Sequence, residues 1–74
     1  MPRYKLLLSF DVKPPDSEIF QKSFDEIREF NDIMSAENEL DHITSLMISE
    51  FSDQGFEWTI LEKCVILDTV TDAV

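Results

Sequence analysis

The stretch RYKLLLSFDV, residues 3–12, decides the fold. Its apolar residues alternate with mostly polar ones, and a period of two is typical of a β-strand that has one buried face. Pro14 and Pro15 follow closely and are expected to end the strand, because proline cannot donate a hydrogen bond to a sheet. The residues predicted to point into the core are Tyr4, Leu6, Leu8, Phe10 and Val12.

The next segment, residues 17–33, has apolar residues at helical spacing. Asp16 or Ser17 suits the N-cap of a helix, and Glu18 and Lys22 form a favourable i,i+4 pair. We therefore predict a first helix over this segment. The residues of its predicted buried face are Ile19, Phe20, Phe24, Ile27, Phe30 and Ile33 or Met34.

A second helix is predicted from a cap at Ser35 to about Gln54, after a break within residues 31–36. Gly55, the only glycine, stands where a left-handed C-terminal cap is favoured. One long bent helix is the alternative to two helices joined by a short link. The residues of the predicted buried stripe are Ala36, Leu40, Ile43, Met47 and Phe51.

The C-terminal part of the chain is predicted to be β-structure. Residues 56–60 alternate apolar and polar side chains, and residues 64–70 are rich in β-branched ones, so we predict a second and a third strand. Glu62 and Lys63 would form the turn between them. The competing interpretation starts a helix here, because Thr59 and Glu62 fit a capping box. The tail at residues 71–74 is predicted to be frayed.

Together these patterns predict one small domain over residues 1–74, of the α+β class. The predicted order is β-α-α-β-β, with a three-stranded, mainly antiparallel sheet and two helices packed on one face. A chain of 74 residues has a thin core. A second copy could add to the buried surface, so a homodimer is a possible arrangement.

The acidic residues are concentrated in residues 29–62, which contain nine of them and no Lys or Arg, in a chain of net charge −10. This charge repels nucleic-acid phosphates and anionic membranes, so neither is expected as a direct partner. A basic protein partner is favoured instead. The six carboxylates that we predict to bind the partner are Asp25, Glu29, Asp32, Glu37, Glu39 and Asp41.

Three of these carboxylates, Asp25, Glu29 and Asp32, would share one face of the predicted first helix, about 5–6 Å apart. That spacing is comparable with the spacing of phosphates along a nucleic-acid strand, so such a face could act as a DNA mimic. The competing interpretation is a solvated helix face that only keeps a small hydrophobic protein in solution.

The sequence shows no catalytic or metal-binding constellation. Cys64 lies in an apolar run, where a cysteine behaves as a small hydrophobic residue, and the single Gly55 leaves no glycine-rich turn for an oxyanion hole. His42 completes one Glu-x-x-His step with Glu39, which alone does not make a metal site. We expect no enzymatic activity, no metal and no cofactor. With one cysteine and no export signal, a cytoplasmic location is expected.

Three apolar residues fall off the predicted buried stripes, and they could form an exposed patch for a protein contact: Leu46, Ile48 and Leu61. Trp58 alternates with Phe56 and Ile60, and we expect it in the middle of the core.

The segment Gly55–Thr59, followed by Cys64, resembles the last strand of a small phage T7 inhibitor of host RNA polymerase. The resemblance covers some ten residues and has no counterpart elsewhere in the chain.

The sequence therefore predicts a non-enzymatic acidic binding protein that inhibits or regulates a basic, nucleic-acid-handling partner protein. Phage- or plasmid-borne inhibitors of restriction, CRISPR or transcription machinery are the class that fits this pattern. The alternative is a small structural or oligomerisation module that uses a sheet edge or an apolar helix patch.

Overall fold

In the computed structural model, which describes residues 2–68, one helix packs on a three-stranded antiparallel sheet. The elements are β1 (Arg3–Lys13), β2 (Phe20–Glu29), α1 (Ile33–Asp53) and β3 (Glu57–Asp68). The strand order is β2-β1-β3, so β1 is central and the other two strands are edges. The predicted α+β class is confirmed. The predicted order β-α-α-β-β is wrong, because residues 2–68 follow β-β-α-β with a single helix.

The core is built on β1, the strand that the alternating pattern predicts. All five of its inward side chains are buried, and residues of α1, chiefly Leu40 and Phe51, complete the cluster. Phe10 lies edge-on to two aromatic rings, with centroids 5.1 Å from Phe51 and 6.1 Å from Trp58. The core lies between two layers, the sheet and the helix. Most of its buried apolar residues belong to this one strand.

The predicted first helix is wrong, because residues 20–29 form strand β2. Residues 14–19 make a hairpin loop, and the two strands then pair without interruption from Arg3 opposite Glu29 to Val12 opposite Phe20. The backbone of a central strand needs hydrogen-bonding partners on both sides. Strand β2 supplies these backbone partners on one side of β1. Its own side chains can be polar, because most of them face solvent.

The predicted second helix is confirmed as α1, and its predicted stripe is its inner face. Three residues of the stripe are buried, and Ile43 and Met47 pack partly against the core. Gly55 follows the helix with φ of 73°, the left-handed conformation that favours glycine. The helix lies over β1 and β3 and hardly touches β2.

The start of α1 differs from the prediction, because Asp32 is the N-cap and Ser35 is not. The amide of Ser35 donates a hydrogen bond to the Asp32 carboxylate at 2.8 Å. This bond lowers the pKa of Asp32, because it stabilises the charged form.

The Asp32 cap makes stability depend on pH. A lowered folded pKa adds stability above the unfolded pKa of about 4, and that stability is lost as the pH falls through the folded value. Asn caps helices at every pH, so we expect the thermal midpoint of Asp32→Asn to fall less than that of the wild type on acidification. Thermal melts followed by circular dichroism, from neutral pH to about pH 2, would measure this. Parallel curves for the two proteins would contradict the assignment, and Asp32→Ala should lower the midpoint at neutral pH.

Residues 57–68 form one continuous strand, β3, and the predicted turn at Glu62 and Lys63 does not form. Ser9 lies opposite Glu62 and the next residue, Phe10, lies opposite Ile60, so the strand holds one extra residue there. An extra residue reverses the alternation of side chains beyond it. The sequence therefore looks like two short strands, although the backbone is continuous. Residues 69 and 70 of the predicted third strand, and the predicted frayed tail, lie outside the described residues.

Of the three residues predicted to form an exposed apolar patch, two are exposed. Leu46 and Leu61 are exposed, whereas Ile48 packs against the core. Trp58 is 37% exposed, so it lies at the edge of the core and not in its middle. No helix among residues 2–68 combines the length and the apolar character that crossing a membrane requires.

Candidate functional site

Helix α1 carries half of the chain's net charge of −10. It has five acidic residues and neither Lys nor Arg, and no acidic residue lies in its first turn. Glu50 and Asp53 lie at its C-terminal end, where the helix dipole is negative and a cation would be favoured. Acidic residues in these positions do not stabilise an isolated helix. The stability of the helix therefore does not explain why they are present.

An open groove of about 440 Å³ runs between α1 and β3. Its lining combines apolar side chains of both elements with charged ones. The residues that line it include Met34, Glu37, Leu40, Asp41, Lys63 and Val65. Leu40 is buried and Val65 is partly buried, while Met34 is 68% exposed at the end of the groove.

Two of the predicted partner-binding residues meet in this groove. Glu37 and Asp41 are one helical turn apart and therefore lie on the same side of α1. Lys63 binds Asp41, with 2.7 Å between the ammonium nitrogen and the carboxylate oxygen. Within residues 2–68, Glu37 makes no ion pair. The groove therefore has an apolar floor, one neutralised carboxylate and one carboxylate that remains open to a cation.

Glu39 lies on the other side of α1, where it holds the helix to β2. The Arg28 guanidinium donates a hydrogen bond to Glu39 at 2.7 Å and another to Glu26. The second bond is the main reason why the pKa of Glu26 is lowered. Arg28 also lies over the ring of Phe24, 6.0 Å from its centroid. This cluster links α1 to β2 through charged side chains, as the pair of Lys63 and Asp41 links α1 to β3.

The remaining predicted carboxylates are elsewhere. Asp25 and Glu29 lie on the face of the sheet that points away from α1, and Asp25 is 3.8 Å from the ammonium nitrogen of Lys5. Asp32 is the helix cap. The predicted spacing of these three residues along one helix face is therefore wrong, since two of them belong to a strand. The structure brings together only Glu37 and Asp41, and binding of a partner by any of the six stays a prediction.

The apolar part of the groove does not follow from the sequence patterns. The sequence predicts Ile33 or Met34 on the buried face of the first helix and Lys63 in a turn. Met34 falls about a third of a turn from the buried stripe of α1, which is the signal that could have found it. Lys63 could not have been placed, because its position depends on the extra residue in β3.

Cys64 and His42, the two residues considered for nucleophilic chemistry, belong to different elements of the fold. Cys64 lies opposite Leu7, on the face of the sheet away from α1, whereas His42 is exposed on the helix. Among the residues that the structure describes, no cluster of three His, Cys, Asp or Glu side chains could hold a metal ion.

Comparisons with known proteins add no functional information. No family model matches the chain, and no curated protein and no solved structure matches it either.

Proposed function

We propose that this chain is a non-enzymatic binding protein that inhibits or regulates a basic, nucleic-acid-handling partner through the carboxylates of α1. One observation carries the proposal: α1 has five acidic residues without a Lys or Arg, and within residues 2–68 only two of them have an ion-pair partner. Net charge of this kind favours basic partners and speeds their association.

The groove between α1 and β3 is the part of this surface that fits a partner side chain best. Lys and Arg have long apolar stems that pack on hydrophobic surface while the charged group stays near water. Met34, Leu40 and Val65 could hold such a stem, and Glu37 could pair with its charge. Inhibition would follow because a basic residue held in this way no longer contacts a phosphate.

A capture experiment tests this proposal. The immobilised protein is incubated with a cytoplasmic extract at low salt, and bound proteins are eluted with increasing salt and identified by mass spectrometry. We expect a basic nucleic-acid-binding protein to elute early, because exposed charge pairs are screened at a Debye length of about 10 Å in 0.1 M salt. The purified partner should then lose nucleic-acid binding when this protein is added.

The capture result can also contradict the proposal. A partner that stays bound at high salt and retains its nucleic-acid binding would indicate apolar contacts. The second candidate function, a structural or oligomerisation module, would then be favoured. The observation in its support is the outer edge of β2, beyond which no strand lies within the described residues 2–68.

A further inference from the structure

The outer edge of strand β2 has the features of an edge that pairs with another β-strand. It is ten residues long, contains no proline, and pairs with β1 without a bulge, so its outer backbone groups are regularly spaced. Within residues 2–68, no strand lies beyond it. Such an edge is a template for another strand unless the sequence protects it. The opposite edge, β3, is less suited because of the extra residue near Leu61.

The charge of β2 also allows two chains to approach. The strand contains two basic and three acidic residues, whereas α1 contains five acidic residues and no Lys or Arg. For a chain of net charge −10, self-association is opposed by repulsion between copies. That repulsion is smallest where the local charges nearly balance, which is along β2.

The geometry of an antiparallel pair restricts the possible registers. Two copies of one edge strand are related by a two-fold axis perpendicular to the sheet, and directly opposite residues point to the same face. One residue must therefore lie opposite its own copy. The register is fixed once this central residue is chosen.

A register centred on Phe24 makes β2 complementary to itself. Lys22 then lies opposite Glu26 of the second copy, and the symmetry forms this pair twice. Phe24 faces Phe24 of the second copy, and Phe20 faces Arg28. These side chains all point to the α1 side of the sheet, because they lie opposite inward residues of β1. Opposite charges and aromatic pairs directly across strands are stabilising.

Registers shifted by one residue lose this complementarity. With Ser23 at the centre, Lys22 lies opposite Phe24 and the ion pair is lost. With Asp25 at the centre, Asp25 faces its own copy and Lys22 faces Arg28, so like charges lie opposite each other. Like charges in these positions are destabilising. The register centred on Phe24 is therefore favoured over both neighbours.

We propose that two copies of this chain pair along β2 in this register and form a continuous six-stranded antiparallel sheet. Lys22 supports the assignment, because it is exposed and makes no ion pair among residues 2–68. An exposed lysine usually protects an edge strand, but here it lies opposite an acid of the second copy. The dimer does not depend on the proposed function, and it leaves the groove beside β3 open.

Charge reversal tests the register. In Lys22→Glu, residue 22 lies opposite Glu26 of the second copy, and we expect the dimer to be weakened by roughly 30-fold because two attractive pairs become repulsive. Glu26→Lys should weaken its own dimer likewise. An equal mixture of the two variants should form a heterodimer, since each Glu then faces a Lys. Sedimentation equilibrium and native mass spectrometry measure all four samples, the wild type included.

Lys13→Glu is the matched control. It changes the net charge by the same amount on an exposed lysine of β1, away from the β2 edge, and we expect the dimer to persist. A wild type that stays monomeric at its highest soluble concentration would overturn the proposal. So would a dimer that Lys22→Glu and Lys13→Glu affect equally, or a mixture that forms no heterodimer.

Hydrogen exchange gives a readout that needs no variant, in case Glu26→Lys does not fold. The outward amides of β2 alternate along the strand, and only pairing with a second copy would protect them. We expect their protection to rise with protein concentration, while amides on the outer edge of β3 stay unchanged. Concentration-dependent protection on β3 and none on β2 would contradict the assignment.

Discussion

Replacing Phe10 by alanine is expected to leave most of the protein unfolded at room temperature. Phe10 is fully buried on the central strand, between α1 and β3. Truncation of a buried Phe to Ala costs about 3–5 kcal/mol. A domain of 74 residues is stable by only about 4–11 kcal/mol, and a core of two thin layers places this protein near the lower end.

Two features make this position more sensitive than an average core site. The ring of Phe10 contacts Phe51 and Trp58 edge-on, so its loss removes two aromatic contacts as well as buried area. Phe10 also lies where β3 has its extra residue. We therefore expect that β3 could not move closer to fill the cavity left by the truncation. Urea denaturation followed by circular dichroism would measure the loss.

Leu46→Ala is the control for Phe10→Ala. Leu46 is an apolar residue of α1 that is 55% exposed, and its truncation should change the free energy of unfolding by less than about 0.5 kcal/mol. If both variants lost the same stability, the core would not be centred on β1. If Phe10→Ala kept the wild-type urea midpoint, the packing of Phe10 between α1 and β3 would be wrong.

The central strand could be predicted from the sequence because its two faces lie in different environments. β1 is covered on one face and partly exposed on the other, and this asymmetry produces the alternation of Tyr4 to Val12. The helix α1 could be predicted for a similar reason, since one stripe of it is buried. In both elements the local pattern and the tertiary contacts agree.

The edge strand could not be predicted, because β2 has no well-defined buried face. Phe20 and Phe24 point to the α1 side of the sheet and Ile27 to the other side, so no alternation of polarity appears. The spacing of the same apolar residues also happens to match that of one face of a helix. What makes them a strand is the hairpin with β1, which satisfies the backbone of β1 along its whole length. That requirement is not visible in residues 20–29 themselves.

The six carboxylates are predicted to bind a partner on the basis of charge, and charge alone does not say what a carboxylate contacts. Glu39 neutralises Arg28 and Asp32 caps a helix, so both have structural partners. Charge reversal at either residue would damage the fold as well as any binding surface. Glu37 is different, because it points into the groove and has no ion-pair partner among residues 2–68.

Reversal of Glu37 should therefore weaken binding of the captured basic partner without loss of stability. A lysine at this position would place a positive charge beside Lys63 and against the incoming cation. We expect affinity to fall by about tenfold or more, because like charges brought together at an interface are costly. Isothermal titration calorimetry at two salt concentrations would measure the affinity and its salt dependence, which should become weaker in Glu37→Lys.

Glu18→Lys is the matched comparison for Glu37→Lys, because it makes the same charge change on an exposed loop residue outside the groove. If general attraction between an acidic protein and a basic partner were sufficient, the two reversals would reduce affinity equally. A larger loss for Glu37→Lys would instead show that the partner's charge is held at the groove. Equal losses would mean that the partner is attracted by the overall negative charge and is not held at the groove. No loss in either variant would mean that these carboxylates do not recognise the partner through charge.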